Sequence, residues 1–145
     1  MTASITFYNN WKAAIAEVVP RTATFKVTLH TSTYTFAATH NVYADLTNEL
    51  STANGYTNGG QALASVTWGQ SGGTATFDAA DTVWTASGGS IVARRAVIRA
   101  VGTFNSQVDP LVASVLLDTT PADVTTTTGN TLTLQWNASG IFTLA

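Results

Sequence analysis

Short segments that alternate apolar and polar residues, cut at intervals by glycine pairs, limit this chain more than any other feature. Between residues 22 and 31, Ala23, Phe25, Val27 and Leu29 fall on one side of an extended backbone, with Thr24, Lys26, Thr28 and His30 on the other. That is the period of a half-buried strand. Strand signals recur over 62–68, 74–77, 82–84, 91–101, 112–117 and 131–136, with a last short one over 141–144. Gly72-Gly73, Gly88-Gly89 and Gly129-Asn130 mark turns between them. Threonine is the commonest residue, and its branched side chain fits a pleated surface better than a helix.

Against this background one segment reads differently. Phe7, Trp11, Ala14, Ile15 and Val18 recur at spacings of three and four, which predicts a helix over 5–19 closed by Pro20. Residues 34–38 read as extended or loop, and Val42, Leu46 and Leu50 stack as in a short helix. Asn54, Gly55, Asn58, Gly59 and Gly60 tolerate positive φ and predict a tight, defined loop. Short strands with Gly-rich turns and one terminal helix predict an all-β fold: a jelly-roll-like antiparallel β-sandwich over 22–145, with the N-terminal helix packed on it. A length of 145 residues suits a single domain, 1–145.

Charge narrows the function classes. Only 10% of the residues are charged and the net charge is -2, so counterion release from many phosphates cannot drive binding, which argues against a direct nucleic-acid partner. The absence of Cys removes disulfides, thiolate metal sites and thiol nucleophiles. No apolar run approaches the roughly 20 residues of a membrane span, so a soluble chain is expected.

Catalytic signals are thin. His30 and His40 are the only imidazoles, too few for a usual three- or four-ligand metal site, and their positions read as solvated. Asp78 and Asp81 are spaced as turn formers rather than as a calcium loop, and Asp45 and Glu49 at i, i+4 would repel on a helix. The expectation is a non-enzyme without metal or cofactor. The tryptophans, Trp11, Trp68, Trp84 and Trp136, are scattered in a way that favours an aromatic core over a sugar platform.

The strongest charge signal is Arg94, Arg95 and Arg99, half of the basic residues on one predicted strand, with Arg95 and Arg99 on one face. It reads either as a solvated strand guarded by charge, its arginines pairing with Asp78, Asp81 or Asp118, or as a clamp for carboxylates of a partner. Together with Asn54, Gly55, Tyr56, Asn58, Gly59 and Gly60 these arginines form the candidate interface.

Two longer stretches carry a resemblance: Phe25-Lys26-Val27-Thr28-Leu29-His30-Thr31-Ser32-Thr33-Tyr34, and the run over 47–63 containing Asn48-Glu49, Gly55-Tyr56-Thr57 and Gly59-Gly60. With Phe77-Asp78-Ala79-Ala80-Asp81-Thr82-Val83-Trp84, Arg95-Ala96-Val97-Ile98 and Gln135-Trp136-Asn137-Ala138-Ser139-Gly140-Ile141, the sequence resembles a family of small tailed-bacteriophage virion proteins over nearly its whole length. The resemblance implies a structural component of the particle. The expectation is a capsid decoration or cement protein on the outer surface of the phage head, assembled in the host cytoplasm. Its partners would be the major capsid protein and copies of itself in a dimer or trimer, and its mechanism the bridging of capsomers. A tail or neck component, or a carbohydrate-binding module engaging a host surface glycan, is the alternative.

Overall fold

The computed structural model describes residues 3–8, 22–120 and 122–145. In chain order the strands are β1 (Ser4–Phe7), β2 (Thr24–His30), β3 (Gln61–Ala62), β4 (Thr67–Ser71), β5 (Thr74–Asp78), β6 (Thr82–Thr85), β7 (Ile91–Ala93), β8 (Arg95–Val101), β9 (Thr103–Phe104), β10 (Gln107–Val108), β11 (Leu111–Leu116), β12 (Val124–Thr126), β13 (Thr131–Leu134) and β14 (Phe142–Leu144). Among the described residues the only helical piece is one 3₁₀ turn, Tyr43–Asp45. The fold is all-β and antiparallel.

Residues 74–144 form one long antiparallel ribbon. Its base pairs Ala75 with Leu144 and Phe77 with Phe142, and the next rungs pair Thr82 with Leu134 and Thr85 with Thr131. The ladder continues through Ile91 with Thr126, Arg95 with Leu116 and Arg99 with Leu111, and ends with Phe104 opposite Gln107. Asn105 and Ser106 close the tip with φ values of 45° and 62°, the positive pair that a two-residue type I′ turn needs. Excursions at 79–81, 86–90, 117–120 and 135–141 bend the ribbon.

The bends bring the two ends of the ribbon face to face. Near the tip, β8 and β11 join β2, β1 and the short β3 in a five-stranded sheet of order β1-β11-β8-β2-β3. At the base, β5 and β14 join β4 in a three-stranded sheet. Register places Phe25, Val27 and Leu29 of β2 on the same face as Ala96, Ile98 and Ala100 of β8 and Ala113 and Val115 of β11, and all are buried. This apolar face packs on the three-stranded sheet, with ring centroids 4.9 Å apart for Phe25 and Phe77 and 5.0 Å for Phe7 and Phe142. Trp68, half-buried, packs on Phe77 at 4.7 Å, and Trp84 and Trp136 are buried, so these tryptophans belong to the core or its margin.

Several expectations are corrected. The helix predicted over 5–19 starts instead as β1, because Ile5 and Phe7 also alternate at strand period and the edge of β11 offers Ser4–Phe7 a ladder. Residues 9–19 of that segment, with Trp11, Ile15 and Val18, lie outside the described residues. The helix around 42–50 shrinks to the 3₁₀ turn, and Asp45 explains it by accepting the backbone N–H groups of Asn41 (2.8 Å) and Val42 (3.1 Å), bonds that hold its carboxyl below the usual carboxylate range. The strand predicted over 62–68 breaks at Ser65, whose φ of 52° leaves the extended region, and the strand over 91–101 breaks at Arg94.

Candidate functional site

A strand must put every second side chain on the far face of its sheet, and here that face is largely polar, with Val97 and Leu111 as apolar exceptions. Thr28 and His30 of β2, Arg95 and Arg99 of β8 and Ser114 of β11 all point away from the apolar core. Thr28, His30, Arg99 and Ser114 are nevertheless buried, and Arg95 is half-buried. Residues 31–60, almost without regular structure, cover this face through Tyr34, Phe36, Tyr43 and Thr47, and the segment is anchored at the edge of β2 by a bridge between His30 and Glu49, with Thr31 N–H to Asn48 O (3.0 Å) and Leu50 N–H to Leu29 O (2.9 Å), and at the start of β11 by Leu111 N–H to Asn41 O (2.9 Å). A polar surface buried in this way must find its hydrogen-bond partners inside the molecule.

Glu49 is the first node. Its carboxylate accepts the hydroxyls of Tyr43 and Tyr56 (2.6 Å for Tyr56) and the backbone N–H of Gly59 at 2.6 Å. Tyr56, almost fully buried, also accepts the N–H of Leu29 at 3.1 Å, so its one oxygen joins the roof to β2. Burial, reinforced by the adjacent Glu49 carboxylate, pushes the Tyr43 hydroxyl up to about 12 and raises that of Tyr56 further.

Arg99 is the second node, and it reaches the same loop. It donates to Asp109 at 2.6 Å and to the carbonyl of Gly59 at 3.1 Å, and its guanidinium lies 4.0 Å from the centre of the Tyr43 ring. The Arg99 side chain is only 7% exposed, against 24% for Asp109, so this ion pair is largely shielded from solvent. Asp109 also accepts the N–H of Gly102 at 2.7 Å, which fixes the base of the tip hairpin.

His30 and its neighbours form a third group. Its Nδ1 lies 2.9 Å from the carbonyl of Thr47, which can only accept, so Nδ1 carries the proton and Nε2 takes the hydroxyl of Thr28 at 2.9 Å. His30 is completely buried, correcting the solvated histidine expected from the polar face of its strand, and burial lowers its pKa despite the opposing pull of Thr47 and Glu49. The Tyr34 ring sits 4.9 Å from His30, and its hydroxyl bonds to Tyr8 at 2.9 Å and to His40 Nδ1 at 3.3 Å. Both tyrosine hydroxyls are raised, chiefly by burial. Among the described residues no three carboxylate or imidazole groups converge as a metal site would require.

The structure sorts the candidate arginines. Arg94 pairs with Asp123 at 2.8 Å and Arg99 with Asp109, whereas the expected internal partners Asp78, Asp81 and Asp118 take neither. Instead, Asp78 accepts the N–H of Ala79, Asp81 that of Trp136, and Asp118 the N–H and hydroxyl of Thr120. Arg95 differs from its neighbours. It is half-buried, donates to the Ser114 hydroxyl at 3.2 Å and lies 5.6 Å over the Phe36 ring, but no described carboxylate is within ion-pair distance.

The loop residues split in the same manner. Gly59 and Tyr56 join the buried network, and Asn58 is held by its N–H on Thr52 (2.9 Å) and its amide on Leu50 O (3.1 Å). A Cβ on Gly60 would lie 2.2 Å from the carbonyl oxygen of Val27, and one on Gly55 2.0 Å from that of Thr85, so at both positions the backbone approach excludes any side chain. Asn54 stays exposed at its turn, its amide donating to Ser90 O at 3.0 Å. Sequence reasoning missed Glu49, Tyr43 and Asp109 as site residues: Glu49 finds its partners 6, 7 and 10 residues away and Asp109 finds its own 7 and 10 residues away, across irregular loop and hairpin-tip backbone whose path the sequence does not reveal. The only local hint was Asp109 before Pro110, a turn signal. No family model, curated protein or solved structure matches the chain.

Proposed function

We propose that this chain is a non-enzymatic structural protein of a tailed-bacteriophage particle, binding the outside of the head as a decoration or cement protein that bridges capsomers. The placement in a phage particle rests on the sequence resemblance. The observation that carries docking rather than catalysis is the division of labour among the charged groups. Glu49, Asp109, Asp81 and both nitrogens of His30 are engaged in internal bonds, while Arg95 keeps a braced guanidinium with no acid partner among the described residues. Such a cation suits a carboxylate presented by another protein, because Phe36 and Ser114 already hold it and little side-chain entropy is lost on binding. The finer architecture belongs to the same reading: a long ribbon rolled so that its ends pack together is a jelly-roll-like sandwich, a stiff body suited to a shell.

The test is immunolabelling of intact particles of the encoding phage, followed by exchange with an Arg95→Glu variant. Label over the heads, and loss of head occupancy at an unchanged melting temperature, support the proposal. Label confined to the tail refutes decoration, absence of label refutes the virion reading, and binding to a glycan array with quenched tryptophan fluorescence favours the adhesion alternative.

A further inference from the structure

β1 ends the five-stranded sheet, and among the described residues nothing pairs with its outer edge. Open edges are usually protected by charge, proline, a bulge or brevity. At the other end of this sheet, β3 has only two residues. β1 is twice that length and has no charge, proline or bulge, since residues 3–8 read Ala-Ser-Ile-Thr-Phe-Tyr and its pairing with β11 is in continuous register.

The adjoining interior is open too. Ile5 lies opposite Val115 on the apolar face, yet it is 37% exposed because the second sheet does not reach over it. Ala3, Ile5 and Val115 line one part of a cleft of about 470 Å³, and Leu134, Trp136 and Ile141, together with the amides Gln135 and Asn137, line the rest, with no titratable side chain anywhere in its lining. An added strand here must therefore be uncharged, alternate at period two and place its apolar residues toward the cleft.

We propose that the occupant is β1 of a second copy, paired antiparallel about a twofold axis that passes through Ile5. This register sets Ile5 against Ile5, Phe7 against Ala3 and Ser4 against Thr6. Directly opposed residues share a face, so the apolar residues of both copies meet over the two clefts and the hydroxyls meet on the other side. Large stands against small, no like charges face each other, and a single self-complementary patch closes the assembly. The inference does not depend on where the protein acts. Pairing of about five residues a side falls below the roughly 1,200 Å² of a standard stable interface, so the free dimer is weak and forms at concentrations on the order of 0.1–1 mM.

Sedimentation of the full chain across that range, combined with cysteine cross-linking, tests the assignment. We expect a concentration-dependent dimer. Ile5→Cys should cross-link to itself by oxidation or a short bismaleimide, and Leu144→Cys, on the neighbouring β14, should give at least tenfold less. Ile5→Lys should stay monomeric at an unchanged melting temperature. If the lysine variant does not fold, the cysteine pair decides alone. A monomer at every concentration overturns the proposal, as does a dimer that Ile5→Lys leaves intact or that cross-links through position 144 in preference to 5.

Discussion

The two faces of the five-stranded sheet are both buried, but by different physics. On one, Phe25, Val27, Leu29, Ile98 and Val115 are covered by another sheet through non-directional apolar contact. On the other, His30, Thr28, Arg99 and the roof residues Tyr56 and Glu49 are covered by a loop through bonds of fixed length and direction. The apolar face should tolerate changes of shape in proportion to the volume lost. The polar face should fail when a single atom is removed, because each lost partner leaves a buried group unsatisfied.

The largest effect expected is on the apolar side. Phe77→Ala removes the ring shared by Phe25, Trp68 and Phe142 and should cost on the order of 3–5 kcal/mol in denaturant unfolding. Arg99→Met comes next. It keeps the side-chain stem but leaves Asp109 and the Gly59 carbonyl without their donor, at a cost of about 3 kcal/mol. If this variant proves as stable as the parent, the polar network contributes geometry rather than stability. Tyr56→Phe deletes one oxygen and should cost roughly 1–3 kcal/mol, which is more than the 0.5–1.5 kcal/mol typical of the methylene lost in Ile98→Val. The reverse order would erase the distinction between the faces.

The smallest effect expected near neutral pH is in the pH dependence of stability, and it belongs to the polar face alone. Because burial lowers the pKa of His30, the unfolded chain takes up a proton near pH 6.5 that the folded chain refuses. The His30 contribution is therefore complete above about pH 6.5 and declines as pH falls below it, until the folded imidazole also protonates. The raised tyrosines act in the opposite direction. Stability should be intact below about pH 10 and fall above it, as the unfolded phenols ionise while Tyr43 holds its proton to about 12. Urea midpoints measured across both limbs, with a His30→Asn variant flattening only the acid one, would check the assignment.

The strands of the apolar face were legible because their evidence is local. Alternation in 22–31, 74–77 and 131–136 marks β2, β5 and β13 directly, and it also puts Arg95 and Arg99 on one face. Elements without that alternation were hidden. β12 lies within a threonine run, and the hairpin of β9 and β10 turns on Asn105-Ser106 without a glycine. The polar site was harder still. His30 reads as solvated because the polar side of a strand usually faces water, and nothing in 31–60 announces that this segment will cover it. Glu49 collects donors from Tyr43, Tyr56 and Gly59, a convergence that becomes visible only once the loop has folded back. The N-terminal stripe was ambiguous from the start, since Ile5 and Phe7 satisfy a strand period while Phe7, Trp11 and Ile15 satisfy a helical one.

The ribbon over 74–144 also constrains how the molecule can be made. Once the turn at Asn105-Ser106 forms, each further rung closes only a small additional loop, so pairing can zip from Phe104 and Gln107 down to Ala75 and Leu144 without a costly long-range search. During synthesis, however, the turn lies near the middle of the ribbon, and its second arm is the last part of this sequence to emerge. β1 is made first and has its partner Val115 only after most of the chain exists. Folding of this unit thus waits until residues 111–144 have been made, and until then the uncharged first strand is held open to whatever edge it meets.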